Sequence, residues 1–229
     1  TDAVPDKAPV HKSLNVLLQI YQKLLSARQE RGAMEFETVE TYMTFDALGA
    51  ITDILPRTRN DAHRLIEECM LLANVCASDF ARKNDLPILF RNHEAPEPSR
   101  IQKVRDYVRL LGLDLPEQPT QKDYQYIIEK TADRIDAPSI HAVLLRSMMQ
   151  AYYGPKNLGH YGLAYDAYTH FTSPIRRYPD LLLHRAIKAF LKKKPNVLEG
   201  DALDAAGMHY SQTERRADEA SRSVMSWLK

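Results

Sequence analysis

Residues 61–83, DAHRLIEECMLLANVCASDFARK, have the apolar periodicity of one long helix, and its middle, Cys69 to Ala77, is apolar on nearly every side. A surface helix carries a single apolar stripe, so a segment without a polar face has to be surrounded. It therefore predicts a central helix, with Asn60 as its N-cap. Cys69 and Cys76 are seven positions apart on it, hence about 10 Å apart along the axis, beyond the span of a disulfide. With no CxxC pair and no histidine at ligand spacing, both are expected to be free, small, buried thiols and not zinc ligands.

The rest of the chain supplies mostly more helix. Residues 1–12 are polar and proline-containing and predict a flexible arm. An amphipathic helix follows, with apolar positions at Leu14, Leu17, Leu18, Ile20, Tyr21, Leu24 and Leu25 and a stop at Gly32. The pattern then becomes β-branched and aromatic around DALG, predicting strands over about 35–45 and 50–54 with Gly49 in the hairpin turn. A short strand is expected over 88–91, and helices over about 99–111, 121–132, 137–152 and 208–228. GHYGLAYDAYTHF, rich in aromatics, predicts one more strand. The fold class is α+β, predominantly helical, over a single stretch 1–229 in which breaks near 95 and 155 are too short to mark subdomains.

Charge narrows the function classes. The 31 basic and 30 acidic residues nearly cancel, which excludes a histone-like binder and requires any anion site to be local. No apolar run reaches the roughly 20 residues of a membrane span, and the N-terminus lacks a signal-peptide core, so no membrane contact and a cytoplasmic location are expected.

The local charge lies in HFTSPIRRYPDLLLHR, residues 170–185. Ser173 suits an N-cap and Pro174 the first helical position, which puts Arg176 and Arg177 in the first turn. Cations there oppose the helix dipole at about 0.3–1 kcal/mol each. A bound phosphate reverses that balance, because backbone N–H groups and guanidinium forks converge on its oxygens. Ser173, Arg176 and Arg177 are thus candidate phosphate-contacting residues. Against this, Asp180 can pair with one arginine, though not well with both. His184 is expected to bond Asp180, with Leu181, Leu183, Ile187, Phe190 and Leu191 on the core side.

GHYGLAYDAYTHFTSPIRRYPDLLLHR closely resembles the signature of the ribonuclease II family of exoribonucleases, whose catalytic core is the RNB domain. RNDAHRLIEECMLLAN, LFRNHEAP, LLRSMMQAYY and ERRADEASRSVMSWLK are similar to its bacterial ribonuclease R branch in particular. The resemblance implies a 3′→5′ hydrolytic exoribonuclease that releases 5′-mononucleotides from single-stranded RNA. By this resemblance Arg176 is the catalytic arginine near the scissile phosphate. Phe36 is the aromatic that clamps the last stacked base, and Glu67 is a carboxylate that contacts the terminal ribose. Stacking on an aromatic face suits any base, and a carboxylate accepts from ribose hydroxyls. Without the resemblance, Phe36 reads as a strand core residue and Glu67 as a solvated helix position. Asn60, His63, Glu67 and Asn74 line up as one polar stripe. The six tyrosines from Tyr152 to Tyr178 are mostly packing residues, some of which can line an RNA path.

The family's chemistry uses Mg²⁺ held by clustered aspartates. No compact cluster occurs here: Asp46, Asp53, Asp79, Asp123 and the DALD pair are scattered, so the metal is expected to be bound by aspartates outside this chain. Ser221 stands where some relatives carry glutamate and receives no role. The expected identity is the C-terminal part of the catalytic domain, without its metal-binding half or the flanking cold-shock and S1 domains, and inactive alone. Ribosome or RNA-decay partners would act through those domains. A non-catalytic RNA-binding module and a structural scaffold are the competing classes.

Overall fold

The computed structural model describes residues 9–36, 41–56, 59–196 and 198–228. These form α1 (Pro9–Arg31), β1 (Thr41–Phe45), β2 (Ile51–Pro56), α2 (Asp61–Lys83), β3 (Phe90–Asn92), α3 (Pro98–Leu110), α4 (Gln121–Thr131), α5 (Ala137–Ser147), β4 (Tyr152–Gly154), α6 (Tyr178–Leu191) and α7 (Gly200–Leu228). The class is the predicted one, helical with two small antiparallel sheets. The chain divides into two compact units, Thr1–Cys69 with Pro98–Ser147 and Met70–Glu97 with Met148–Lys229. Among the described residues no helix is long and apolar enough to cross a membrane.

In the first unit α1 already contains residues 9–12 of the predicted arm; residues 1–8 lie outside the described residues. Gly32 ends α1 at φ +83°, with Gly32 N–H donating to the Gln29 carbonyl and Ala33 N–H to that of Arg28, the two bonds of a Schellman cap. Tyr21 is buried, whereas Leu14, Leu18 and Ile20 are exposed despite their apolar spacing. β1 and β2 pair in register Thr41↔Pro56 to Thr44↔Asp53, with a shift before Phe45↔Ile51. Asp46 shapes the turn by accepting from the N–H groups of Leu48 and Ala50, and Gly49 takes φ +82°. Val104 and Val108 of α3, Tyr124 and Ile127 of α4, and Ile140 and Leu144 of α5 are all buried. The helix expected over 137–152 stops at Ser147, and residues 152–154 become β4.

In the second unit β3 and β4 pair antiparallel, Phe90↔Gly154 to Asn92↔Tyr152. One core cluster joins Ala77 and Ala81 of α2 to Ile88, Phe90, Leu183 and Ala186; another joins Leu89, Tyr153, Leu182 and Leu203. Gly207 faces the sheet so closely that a Cβ there would stand 2.8 Å from the Tyr153 carbonyl oxygen.

Three expectations are corrected. The middle of α2 is not surrounded: Leu71, Asn74 and Ala77 are buried, but Leu72 and Cys76 are exposed and Cys69 is only half-buried. Residues 159–171 form no strand; Gly159 and Ala164 both take positive φ, and a 3-10 turn at Tyr161–Leu163 lies between them. On α6 the expected Leu183 is buried and Ile187 packs against its cluster, but Leu182 and Ala186 are buried as well, while Phe190 and Leu191 are exposed.

Candidate functional site

The helix after the double arginine begins at Tyr178, not after Ser173. Ser173 instead opens a tight turn, its carbonyl accepting from Arg176 N–H at 3.3 Å and Arg177 N–H at 3.0 Å. Arg177 is the N-cap of α6, and Pro179, in the first turn, disturbs no intrahelical bond where it falls. Asp180 is fully buried and organises this geometry. Its carboxylate accepts from Ser173 N–H at 2.8 Å and from Arg177 through Nε at 2.9 Å and Nη2 at 2.8 Å.

The two adjacent arginines therefore have different roles. Arg177 neutralises a buried carboxylate through a two-pronged bond that commits its Nε and Nη2 donors internally. The Ser173 N–H is committed in the same way. The Arg176 side chain is exposed and makes no hydrogen bond or ion pair among the described residues. The turn presents one guanidinium outward while the other anchors it.

A second set of bonds fixes the approach to this turn. Asn74, wholly buried on α2, accepts from Phe171 N–H at 2.9 Å and Thr172 N–H at 3.2 Å. It also donates to the Tyr168 hydroxyl at 2.8 Å. His184 does not bond Asp180 as expected: its ring stacks on Phe171 at 4.2 Å and Nε2 lies 2.9 Å from the Phe171 carbonyl oxygen.

Beneath the turn is a buried cluster that sequence pattern did not single out. His170 Nδ1 lies 2.8 Å from the Tyr153 hydroxyl, and the Arg91 guanidinium sits 4.6 Å over the Tyr153 ring. Burial first, then the nearby cations Arg177 and Arg91, pushes the His170 pKa down to about 2. Burial and the neighbouring His93 lower His160 to about 3. Burial raises the Tyr153 phenol to about 12. The cluster is thus uncharged at neutral pH apart from its arginines. Tyr153 and Tyr168 are buried, which assigns them to packing, whereas Tyr178 is exposed. The cluster's only sequence signal is the density of histidines and tyrosines between 152 and 170.

Phe36 and Glu67 belong to the first unit. Phe36 precedes β1 instead of lying within a strand; residues 37–40 of the predicted strand lie outside the described residues. Its ring meets His141 edge-on at 6.5 Å. Glu67 is gripped by Arg59 through both carboxylate oxygens, and Arg59 reaches Glu35 at 2.7 Å as well. Phe36 and Glu67 are therefore linked through Glu35 and Arg59. The predicted polar stripe divides: Asn60 caps α2 by accepting from His63 N–H at 3.1 Å, while Asn74 is buried. The buried member of the EE pair is Glu68, which binds Arg28 at 2.7 Å.

Magnesium, which the resemblance implies, has no matching ligand set here. Among the described residues no group of three or more His, Cys, Asp or Glu side chains is placed to hold a metal ion.

The sequence pattern of the RNB domain family matches residues 1–193. Ribonuclease R of Escherichia coli is 47% identical over 236 residues, a match covering 97% of this chain and 29% of that protein. The chain thus spans less than a third of that relative's length. The apo structure of Mycoplasma genitalium RNase R superposes with a TM-score of 0.91 at 23% identity, covering 99% of this chain and 37% of that one. The same protein in complex with ribose-methylated single-stranded RNA gives 0.90 at the same identity and coverage. At that identity the likeness establishes the fold. By the match over residues 1–193, this chain belongs to the RNB domain family.

Proposed function

We propose that this chain serves a hydrolytic 3′→5′ exoribonuclease that degrades single-stranded RNA to 5′-mononucleotides, with Arg176 acting at the scissile phosphate. The observation that carries this is the exposed, unpaired guanidinium of Arg176 on a turn whose other charged groups are neutralised internally. Similarity to ribonuclease R, and to an RNase R structure solved with single-stranded RNA, supports the substrate class. A guanidinium held in this way stabilises charge that develops on the phosphoryl oxygens without first having to leave an internal partner.

The other residues follow from their surroundings. Arg177 and Ser173 serve RNA binding by positioning Arg176. Phe36, half-buried beside His141, stacks the last base. Glu67 keeps acceptor capacity beyond its bonds to Arg59, since each carboxylate oxygen carries two lone pairs, and it takes a ribose hydroxyl. Magnesium would be held by aspartates other than these residues, and no step is assigned to it.

Fluorescence anisotropy with a labelled single-stranded RNA tests the reading. Arg176→Ala is expected to weaken binding and lower the salt slope by about one contact's worth. Equal affinity and equal slope would remove its role. In the presence of Mg²⁺ the 229-residue chain is expected to bind RNA without releasing mononucleotides; their release would refute the placement of the metal ligands elsewhere.

A further inference from the structure

The residues that lead into the Arg176 turn are held one after another by side chains from other elements of the second unit. Asn74 of α2 accepts from the N–H groups of Phe171 and Thr172, and Asp180 of α6 accepts from that of Ser173. His170, just before them, is held through its ring, whose Nδ1 meets the Tyr153 hydroxyl at 2.8 Å. Arg177 and Arg176 both lie close enough to disfavour its protonated form.

Tyr153 is itself fixed from two sides. Its N–H donates to Ser211 Oγ at 2.9 Å, and Ser211 donates in turn to the Gly207 carbonyl, which ties β4 to α7. Its ring lies under the Arg91 guanidinium at 4.6 Å, and Arg91 Nη1 donates to Glu214 Oε2 at 2.6 Å. Gly207, Ser211 and Glu214 follow at spacings of four and three, so a single face of α7 supplies all of these contacts. A phenylalanine at 153 would fill the same space without a polar atom to desolvate. What the hydroxyl adds is direction: it restrains the His170 ring.

We propose that Tyr153 is a positioning residue for Arg176, held in place by Arg91 and Glu214 and acting on the turn through His170. The proposal rests on the role assigned to Arg176 above. A turn restrained at each preceding residue presents its guanidinium to a phosphate without having to be ordered on binding, whereas a turn released at His170 pays that cost. In this way α7 supports the turn from a distance, through β3 and β4.

Two measurements on the 229-residue chain test this. Amide hydrogen exchange reads the turn itself. Tyr153→Phe, which removes one oxygen and keeps the ring, is expected to speed exchange at Thr172, Ser173, Arg176 and Arg177 while leaving Val108 of α3 and Ile140 of α5 unchanged. Uniform acceleration, or none, overturns the inference. Fluorescence anisotropy with labelled single-stranded RNA reads the consequence. Tyr153→Phe is expected to weaken binding by about two- to tenfold, the worth of one hydrogen bond. In an Arg176→Ala background the same substitution is expected to cost nothing further, because the residue it positions is gone. An equal loss in both backgrounds makes Tyr153 merely structural and overturns the inference. Glu214→Gln, which by charge alone would tighten a polyanion, is expected to weaken RNA as well; tighter binding overturns the link through α7. If Arg176→Ala weakens binding and Tyr153→Phe does not, only the positioning role falls. If the chain shows no RNA binding that Arg176→Ala weakens, the role of Arg176 falls and the positioning role with it.

Discussion

Arg176 and Arg177 are chemically identical neighbours separated in role by one carboxylate. Asp180 is wholly buried, so its charge must be balanced, and Arg177 is the residue within reach. Removing one partner of a buried ion pair costs about 3–5 kcal/mol, because the other charge is left uncompensated. Arg177→Ala is therefore expected to destabilise the chain by several kcal/mol, whereas Arg176→Ala, at an exposed site, should cost about 0.5 kcal/mol or less. Urea denaturation of the two variants checks this. The double variant Arg177→Ala/Asp180→Ala is expected to lose less than the sum of the singles, since it leaves no orphaned charge. A larger effect for Arg176 than for Arg177 would reverse the two roles.

At the level of elements, steric requirements decide where close packing occurs. Alanine at Gly207 would favour α7 by about 1 kcal/mol in helix propensity. Its Cβ, however, would meet the Tyr153 carbonyl oxygen at 2.8 Å and Leu89 Cδ2 at 3.1 Å, and the first is backbone that cannot rotate away. Overpacking typically costs about 1–3 kcal/mol, so Gly207→Ala is expected to destabilise on balance, read as a lowered melting temperature. The elements that the sequence makes legible are those with local signals. Gly32 and Gly49 mark a helix end and a hairpin turn, and Asn60 caps α2 as its position predicts. The start of α6 was not legible, because Ser173 and Pro174 carry every local sign of a helix start. The buried Asp180 overrides them by binding the Ser173 N–H and the Arg177 side chain, a constraint visible only once the core has formed. The stretch 159–171 misleads for the same reason: its aromatics suit a strand, but its turns are closed by bonds to residues far away, such as Gly162 N–H to His93. That Asp180 pairs with one of the two arginines was legible from their spacing; that the partner is Arg177 was not.

Across the whole molecule, near neutrality leaves local groups in charge of its response to pH. His170 and His160 are buried, and their pKa values in the folded chain stand at about 2 and about 3, against 6.5 when unfolded. The groups facing them, Arg91, Arg177 and Arg176 for His170, with Arg91 and His93 for His160, are cationic or become so in acid, so no carboxylate offsets the protonated form. Above pH 6.5 both histidines are neutral in either state and contribute no pH dependence. Below it the unfolded chain takes up protons that the folded chain refuses, so stability falls with pH down to the folded-state values. Each histidine contributes a slope of about 1.4 kcal/mol per pH unit, or roughly 4 kcal/mol for the two together between pH 6.5 and 5. Denaturant midpoints measured from pH 8 to pH 5 are expected to be level and then to fall steeply. His170→Gln should remove about half of that fall, and a profile unchanged by the substitution would mean that His170 takes up a proton in the folded chain as readily as in the unfolded one.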